Sequence, residues 1–405
     1  MDTDKLLTIF LFDRSQAEVL SNTLSQEQWQ LCLEAAVRHK ILPLVADYYH
    51  NVSDQPLTPA LSEILAAHRR ERNSWLEAIR ALQFDSNEPR AMLMKGFGHE
   101  LLYPERIERF AKDLDIVVRD FPAFCRFATQ LFRRGFSLPF MARFYQHPDT
   151  AQWCGIARFI FEQGLEDGGV ELHIGQFAVD QYHLIDWDEL EPYAVQQQFS
   201  GIPLCVPDVN TMLKVFFMEL ATRPECMLRD LYDGHCLFMG AGIAPQALFD
   251  ELAKARLLPQ VEKLLAGFHR YQQSPPLLLQ HLARNIHGDS GATSLLWQQR
   301  AREAIDRACE EGSWQLNVLS LLDRPWAIRC ALRWGMTVNA ILIDQRCAAI
   351  GLTRYKKFLM LTSPAGTFLL GVCGLFSDEE AEQLQAYLTR EALRPGVILE
   401  EKQDD

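Results

Sequence analysis

A short apolar run carrying two acids constrains this chain most. Asp113-Leu114-Asp115-Ile116-Val117-Val118 is dense in branched residues and too short for a stable helix, so it reads as a strand. Side chains alternate along a strand, so Asp113 and Asp115 share one face, while Leu114, Ile116 and Val118 share the other and can enter a core. Two carboxylates projecting together repel each other unless a cation lies between them. A divalent ion that prefers hard oxygen ligands, Mg²⁺ or Mn²⁺, relieves that repulsion.

The neighbouring segments extend this chemistry. Ala91 to Met94 is another short apolar run, followed by Lys95-Gly96 and a helix expected from Phe97 to Leu102. A glycine at that turn lets backbone N–H groups at a helix N-terminus approach phosphates, and Lys95 adds a positive charge beside them. Arg109 and Lys112 are further cations able to neutralise a triphosphate. Glu171, in the strand-like run Val170-Glu171-Leu172-His173-Ile174, supplies a third carboxylate, as a site for in-line phosphoryl transfer requires. His173 shares its face and reads as a hydrogen-bonded structural histidine.

Around this α/β segment the chain reads as helical. Ser25 and Gln28 form a capping-box pattern, Thr58-Pro59 opens a second long helix, and Asp208 caps a strongly apolar one. The cluster Arg69-Arg70-Glu71-Arg72 reads as a solvated face. Helical patterns dominate from Asp208 to about residue 350, with Trp326 and Trp334 expected to pack helices together. The uncharged run Phe358 to Phe376 is broken by Pro364-Ala365-Gly366, so two strands joined by a turn are expected rather than a membrane span. A helix opened by Ser377, with Glu380 as its capping-box partner, follows. The expected fold class is α+β: a small mixed sheet embedded between helical regions, with a C-terminal β-hairpin plus helix. The expected boundaries are 1–84 helical, 85–200 α/β core, 201–350 helical and 351–405 hairpin and helix.

Charge narrows the partners. Lysines and arginines number 40 against 53 acids, a net charge of −13. Such a balance disfavours bulk nucleic acid and anionic membranes but leaves room for a local basic pocket. The ten cysteines include no C-x-x-C pair, so reduced thiols and a cytoplasmic location are expected. The N-terminus lacks the basic segment of a signal peptide.

The run Leu93-Met94-Lys95-Gly96, then Leu101-Leu102-Tyr103-Pro104, then Arg109 and Asp113-Leu114-Asp115, resembles the uncharacterised nucleotidyltransferase family of the DNA polymerase beta superfamily. Glu171-Leu172-His173 is similar to a later acid-bearing strand of that family, and Leu228-Arg229-Asp230-Leu231-Tyr232-Asp233 to its downstream helix. The resemblance implies a nucleotidyltransferase fold with Asp113, Asp115 and Glu171 as metal-binding catalytic acids. It also puts Lys95 and Gly96 near the nucleotide phosphates. The activity it implies is transfer of an NMP from an NTP, with ATP the first candidate, to a hydroxyl on a small molecule, protein or peptide. Two alternatives remain open: a non-catalytic nucleotide- or partner-binding module on the same fold, and a protein modifier whose tail hairpin recruits its partner by strand addition.

Overall fold

The computed structural model describes residues 3–53, 55–82, 91–103, 108–111, 113–138, 142–147, 150–161, 169–178, 184–199, 201–223, 225–255, 257–286, 323–355 and 358–372. In chain order these form helices α1 (Thr3–Phe12), α2 (Arg14–Ser21), α3 (Gln26–Arg38), α4 (Leu42–Val52) and α5 (Pro59–Leu82), then strand β1 (Ala91–Leu93), α6 (Lys95–Glu100), β2 (Asp113–Val118) and α7 (Phe121–Arg133). Next come β3 (Phe136–Ser137), β4 (Ala142–Gln146), β5 (Trp153–Phe161), β6 (Gly169–Ile174), β7 (Gln176–Ala178), β8 (Leu184–Asp186), α8 (Trp187–Leu190), β9 (Ala194–Phe199) and β10 (Ile202–Pro207). The rest are α9 (Val209–Thr222), α10 (Leu228–Gly240), α11 (Pro245–Lys254), α12 (Leu258–Arg270), α13 (Leu277–Asn285), α14 (Pro325–Arg333), β11 (Val338–Asp344), β12 (Gly351–Tyr355), β13 (Phe358–Ser363) and β14 (Gly366–Gly371). The fold is mixed α+β.

The chain divides into two compact units. The first takes in Met1–Ile116, Gln163–Val170 and His183–Thr293, and the second takes in Val117–Glu162, Glu171–Tyr182 and Ser294–Asp405. Strands β2 and β6 therefore each contribute residues to both.

In the first unit, local signals set the helix ends. Ser25 accepts from the Gln28 N–H while the Gln28 side chain accepts from the Ser25 N–H, the full capping box. Asp208 caps α9 by accepting from Thr211 N–H at 2.8 Å. Aromatic packing joins the N-terminal helices: the Phe10 ring stacks on Trp29 at 5.4 Å, and Trp29 meets Tyr49 edge-on at the same distance. Helix α5 buries Leu61, Leu65, Trp75 and Ile79. Its charged cluster is not a uniformly solvated face. Arg69 and Arg70 are exposed, but Glu71 is buried and accepts from Trp75 Nε1 at 3.0 Å, and Arg72 grips Glu100 with two hydrogen bonds. An acid four residues before a buried tryptophan lies on the same helix face, which draws it inward. Strand β1 lies beside β2, with Met94 N–H donating to the Asp115 carbonyl at 2.9 Å.

In the second unit the strand order runs from the end of β2 through β6, β5, β4, β11, β14 and β13 to β12, with β3 paired to β5. The end of β2 is tied to the end of β6 by Gly175 N–H donating to the Val118 carbonyl at 2.8 Å. The expected C-terminal hairpin forms as β13 and β14, with Ser363 opposite Gly366. Gly366 has φ +130°, and a Cβ there would lie 2.3 Å from the Asp344 carbonyl oxygen, so only glycine fits. Both hairpin strands have neighbours on either side, β12 against β13 and β11 against β14. Neither is an edge, so this hairpin has no free ladder to offer a partner by strand addition.

The helical reading of 208–350 holds through α13 and again at α14, but Val338–Asp344 is a strand paired to β4 and β14. A short apolar run does not distinguish helix from strand by its period, and pairing partners far along the chain decide. Trp326 on α14 is 64% exposed and Trp334 half exposed, so neither is sealed between helices as expected. The helix expected at Ser377 lies outside the described residues. Among the described residues no helix is long and apolar enough to cross a membrane.

Candidate functional site

Strand β2 presents its carboxylates as the alternation requires. Leu114, Ile116 and Val118 are fully buried, which fixes the strand and with it the direction of Asp113 and Asp115. Asp113 is partly exposed and Asp115 is buried. Lys95, the first residue of α6, lies with Nζ 2.9 Å from Asp115 Oδ1 and 3.6 Å from Glu219 Oε1 on α9. One ammonium thus serves two carboxylates inside the first unit.

Lys95 also carries a backbone conformation that is uncommon for a residue with a side chain, φ +42°. Such a conformation persists only when its surroundings over-determine it. Met94 N–H is held by the Asp115 carbonyl on one side of it. On the other, Gly96 is pressed against its neighbours: a Cβ there would lie 3.2 Å from Arg109 Nη1 and 3.4 Å from Ala111 Cβ. A side chain there would require Arg109 to give by a few tenths of an ångström. The backbone that delivers Lys95 to Asp115 is clamped from both sides.

Arg109 is placed differently from a phosphate contact. It is buried, and its guanidinium donates to both carboxylate oxygens of Asp233 on α10, Nε to Oδ1 at 2.9 Å and Nη2 to Oδ2 at 2.8 Å. Tyr103 adds a hydroxyl donated to Asp233 at 2.6 Å. Burial pushes the Asp233 carboxyl up, but Arg109 outweighs it and holds the group well below the usual carboxylate range. Burial opposes charge on Glu219 too, and Arg223 and Lys95 overcome it, so its pKa is lowered. Arg223 pairs with Glu219 at 3.3 Å and with Asp230, and Arg229 donates to the Phe110 carbonyl at 3.2 Å. His99 is fully buried, and burial lowers its pKa to about 4, so it is neutral at pH 7. Among the described residues neither of its ring nitrogens has a hydrogen-bond partner, and Asp233 Oδ2 is 3.9 Å from Nδ1.

The second unit holds Glu171 and His173. Both project from β6 between buried Val170, Leu172 and Ile174. Glu171 is partly exposed, with Arg158 Nε 4.0 Å from Oε1 and His173 Nε2 3.9 Å from Oε2. His173 is buried, with its ring 4.7 Å from that of Phe177. Lys112 lies outside the described residues.

Glu219, Arg223 and His99 carry no motif, and a pattern search passes over them. A usable signal exists in the sequence: Glu219 directly follows the apolar run Val215–Met218 on its helix, and Arg229, Asp230 and Asp233 stand together on another. Charges on helices destined for burial need one another.

The family model described as uncharacterised nucleotidyltransferase matches residues 25–272, which includes every candidate residue named above. Among solved structures, a putative nucleotidyltransferase from H. pylori is 15% identical, covering 53% of this chain and 90% of that one with a TM-score of 0.30. The antibiotic-resistance factor ANT(2'')-Ia is 11% identical, covering 49% and 97% with a TM-score of 0.31. An antigenic nucleotidyltransferase-like protein from Paracoccidioides brasiliensis is 16% identical, covering 47% and 89% with a TM-score of 0.26. No curated protein matches the chain. The match over more than half of its length decides the matter: the chain belongs to the uncharacterised nucleotidyltransferase family.

Proposed function

We propose that this protein transfers an NMP from an NTP to an acceptor hydroxyl and releases pyrophosphate. The observation that carries this reading is the family match, whose span contains Lys95, Gly96, Asp113, Asp115 and Glu171. The acids Asp113, Asp115 and Glu171 form the metal-binding set. Their donors are carboxylate oxygens, the hard ligands that Mg²⁺ and Mn²⁺ prefer. Buried Asp115 already has a cation at 2.9 Å, so its surroundings accommodate positive charge. A divalent ion there supplies charge neutralisation and a more acidic acceptor hydroxyl.

The chain's own residues do the rest. Asp113 and Asp115 are held in direction by the buried face of β2. Lys95, between Asp115 and Glu219, offers a positive charge to the nucleotide phosphates. Arg109 acts one layer back, as the partner of Asp233 that packs on Gly96. In the transfer the acceptor oxygen bonds to the α-phosphorus, the bond from the α-phosphorus to the bridging oxygen breaks, and the hydroxyl proton passes to solvent. The acceptor is a small molecule, protein or peptide, and ATP is the first donor to try.

One observation favours the second reading, a nucleotide- or partner-binding module without turnover. Lys95 Nζ lies 2.9 Å from Asp115 Oδ1, so a cation of the chain itself is paired with that carboxylate. Pyrophosphate release from each NTP, assayed with a panel of hydroxyl acceptors, separates the two. Transfer predicts release that Asp115→Asn abolishes. Nucleotide binding with no release from any NTP points to the binding module.

A further inference from the structure

The first unit contains a cleft that no candidate site residue lines. Its volume is about 930 Å³, in the upper part of the roughly 300–1,000 Å³ range of small-molecule sites. It is bordered by α1, α2, α4 and α10.

The walls combine rings with a small excess of negative charge. Phe12, Tyr48, Tyr232 and His235 line the cleft. The Phe12 ring meets Tyr232 at 5.7 Å and His235 at 5.5 Å, both edge-on. The charged groups are Arg14, Glu18 and Asp47. Arg14 and Glu18 lie 3.5 Å apart and offset each other, which leaves the Asp47 carboxylate. Burial lowers the His235 pKa and pushes the Cys236 thiol up to about 12, so both are neutral at pH 7. Tyr232 is a fixed wall. Its ring packs at 4.9 Å on Tyr103, whose hydroxyl is tied to Asp233.

We infer that this cleft binds a small monocation with an aromatic or apolar body, an arylalkylammonium type of ligand. The electron-rich faces of tyrosine and phenylalanine attract a cation, and Asp47 at the rim supplies its counter-charge. A neutral body of the same shape fills the rings but gains no attraction from the Asp47 carboxylate. An anion meets the same carboxylate and is repelled. Because Tyr232 is already held from behind, little ordering accompanies binding. The inference concerns binding alone and stands whether or not the acids of β2 support transfer.

Three probes of one shape test it on the full chain at pH 7.5: benzylamine, which is protonated there, benzyl alcohol and benzoate. Calorimetric titration should show saturable binding of benzylamine, at least fivefold weaker binding of benzyl alcohol, and none of benzoate. Asp47 is exposed, so Asp47→Asn should leave the melting temperature unchanged while weakening benzylamine at least fivefold. Tyr48→Leu should weaken both benzylamine and benzyl alcohol. Absence of saturable benzylamine binding, equal affinity for the alcohol, or undiminished affinity in Asp47→Asn would each overturn the inference.

Discussion

Arg109 and Asp233, 124 residues apart in sequence, form a buried bidentate pair. It joins the segment that precedes the D-x-D strand to the middle of α10. Tyr103, His99 and Gly96 are all arranged around it. Removing one partner leaves the other charged and without its counter-ion inside the fold. Asp233→Ala should therefore lower stability by roughly 3–5 kcal/mol. Replacing both with apolar residues, Arg109→Met with Asp233→Leu, should cost clearly less than Asp233→Ala alone. Chemical denaturation of the three proteins checks this. Equal losses in the single and double variants would mean that the pair is not the unit that matters.

The left-handed backbone at Lys95 gives a second test. Glycine adopts φ +42° without the strain that a Cβ brings. Both Lys95→Gly and Lys95→Ala lose the ion pair with Asp115, so their difference isolates the backbone. Lys95→Gly should be the more stable by about 1 kcal/mol, and both should lose nucleotide-dependent activity. A more stable alanine variant would mean that Lys95 does not hold this conformation in solution.

Acid should weaken the fold through His99. Its folded pKa of about 4 lies below the ordinary value of 6.5, because the buried ring resists a proton that the unfolded chain accepts. The unfolded state therefore binds more protons between these values, so stability falls as pH drops from 6.5 toward 4. The full effect of this one group is roughly 3 kcal/mol. Asp233, whose pKa is held low, adds its loss only below about pH 4. Stability measured across this range should slope less in a His99→Gln variant. An identical slope would assign the acid sensitivity to other groups.

What was readable in advance was what short-range chemistry decides. Alternation in Asp113–Val118 and Val170–Ile174 named the strands and the faces of their acids. Side-chain acceptors at Ser25 and Asp208 named helix starts. The turn at Pro364-Ala365 named the hairpin. Long-range contact decided the rest. Arg109 reads as a cation able to neutralise a triphosphate, yet Asp233 engages its guanidinium. Gly96 reads as a phosphate-approach glycine, and a Cβ there would in addition meet Arg109 and Ala111. Val338–Asp344 has no helical or strand period of its own and takes its form from β4 and β14.

Nucleotide transfer through Asp113 and Asp115 requires metal-dependent NTP binding, which thermal melting with each NTP, with and without Mg²⁺, measures beside Asp115→Asn. A ligand that binds only the folded state stabilises it by RT ln(1 + [L]/Kd) and so raises the melting temperature. A magnesium-dependent rise is expected with at least one NTP, and Asp115→Asn should abolish it while keeping a cooperative transition. No rise with any NTP, or a rise of equal size in Asp115→Asn, would contradict it.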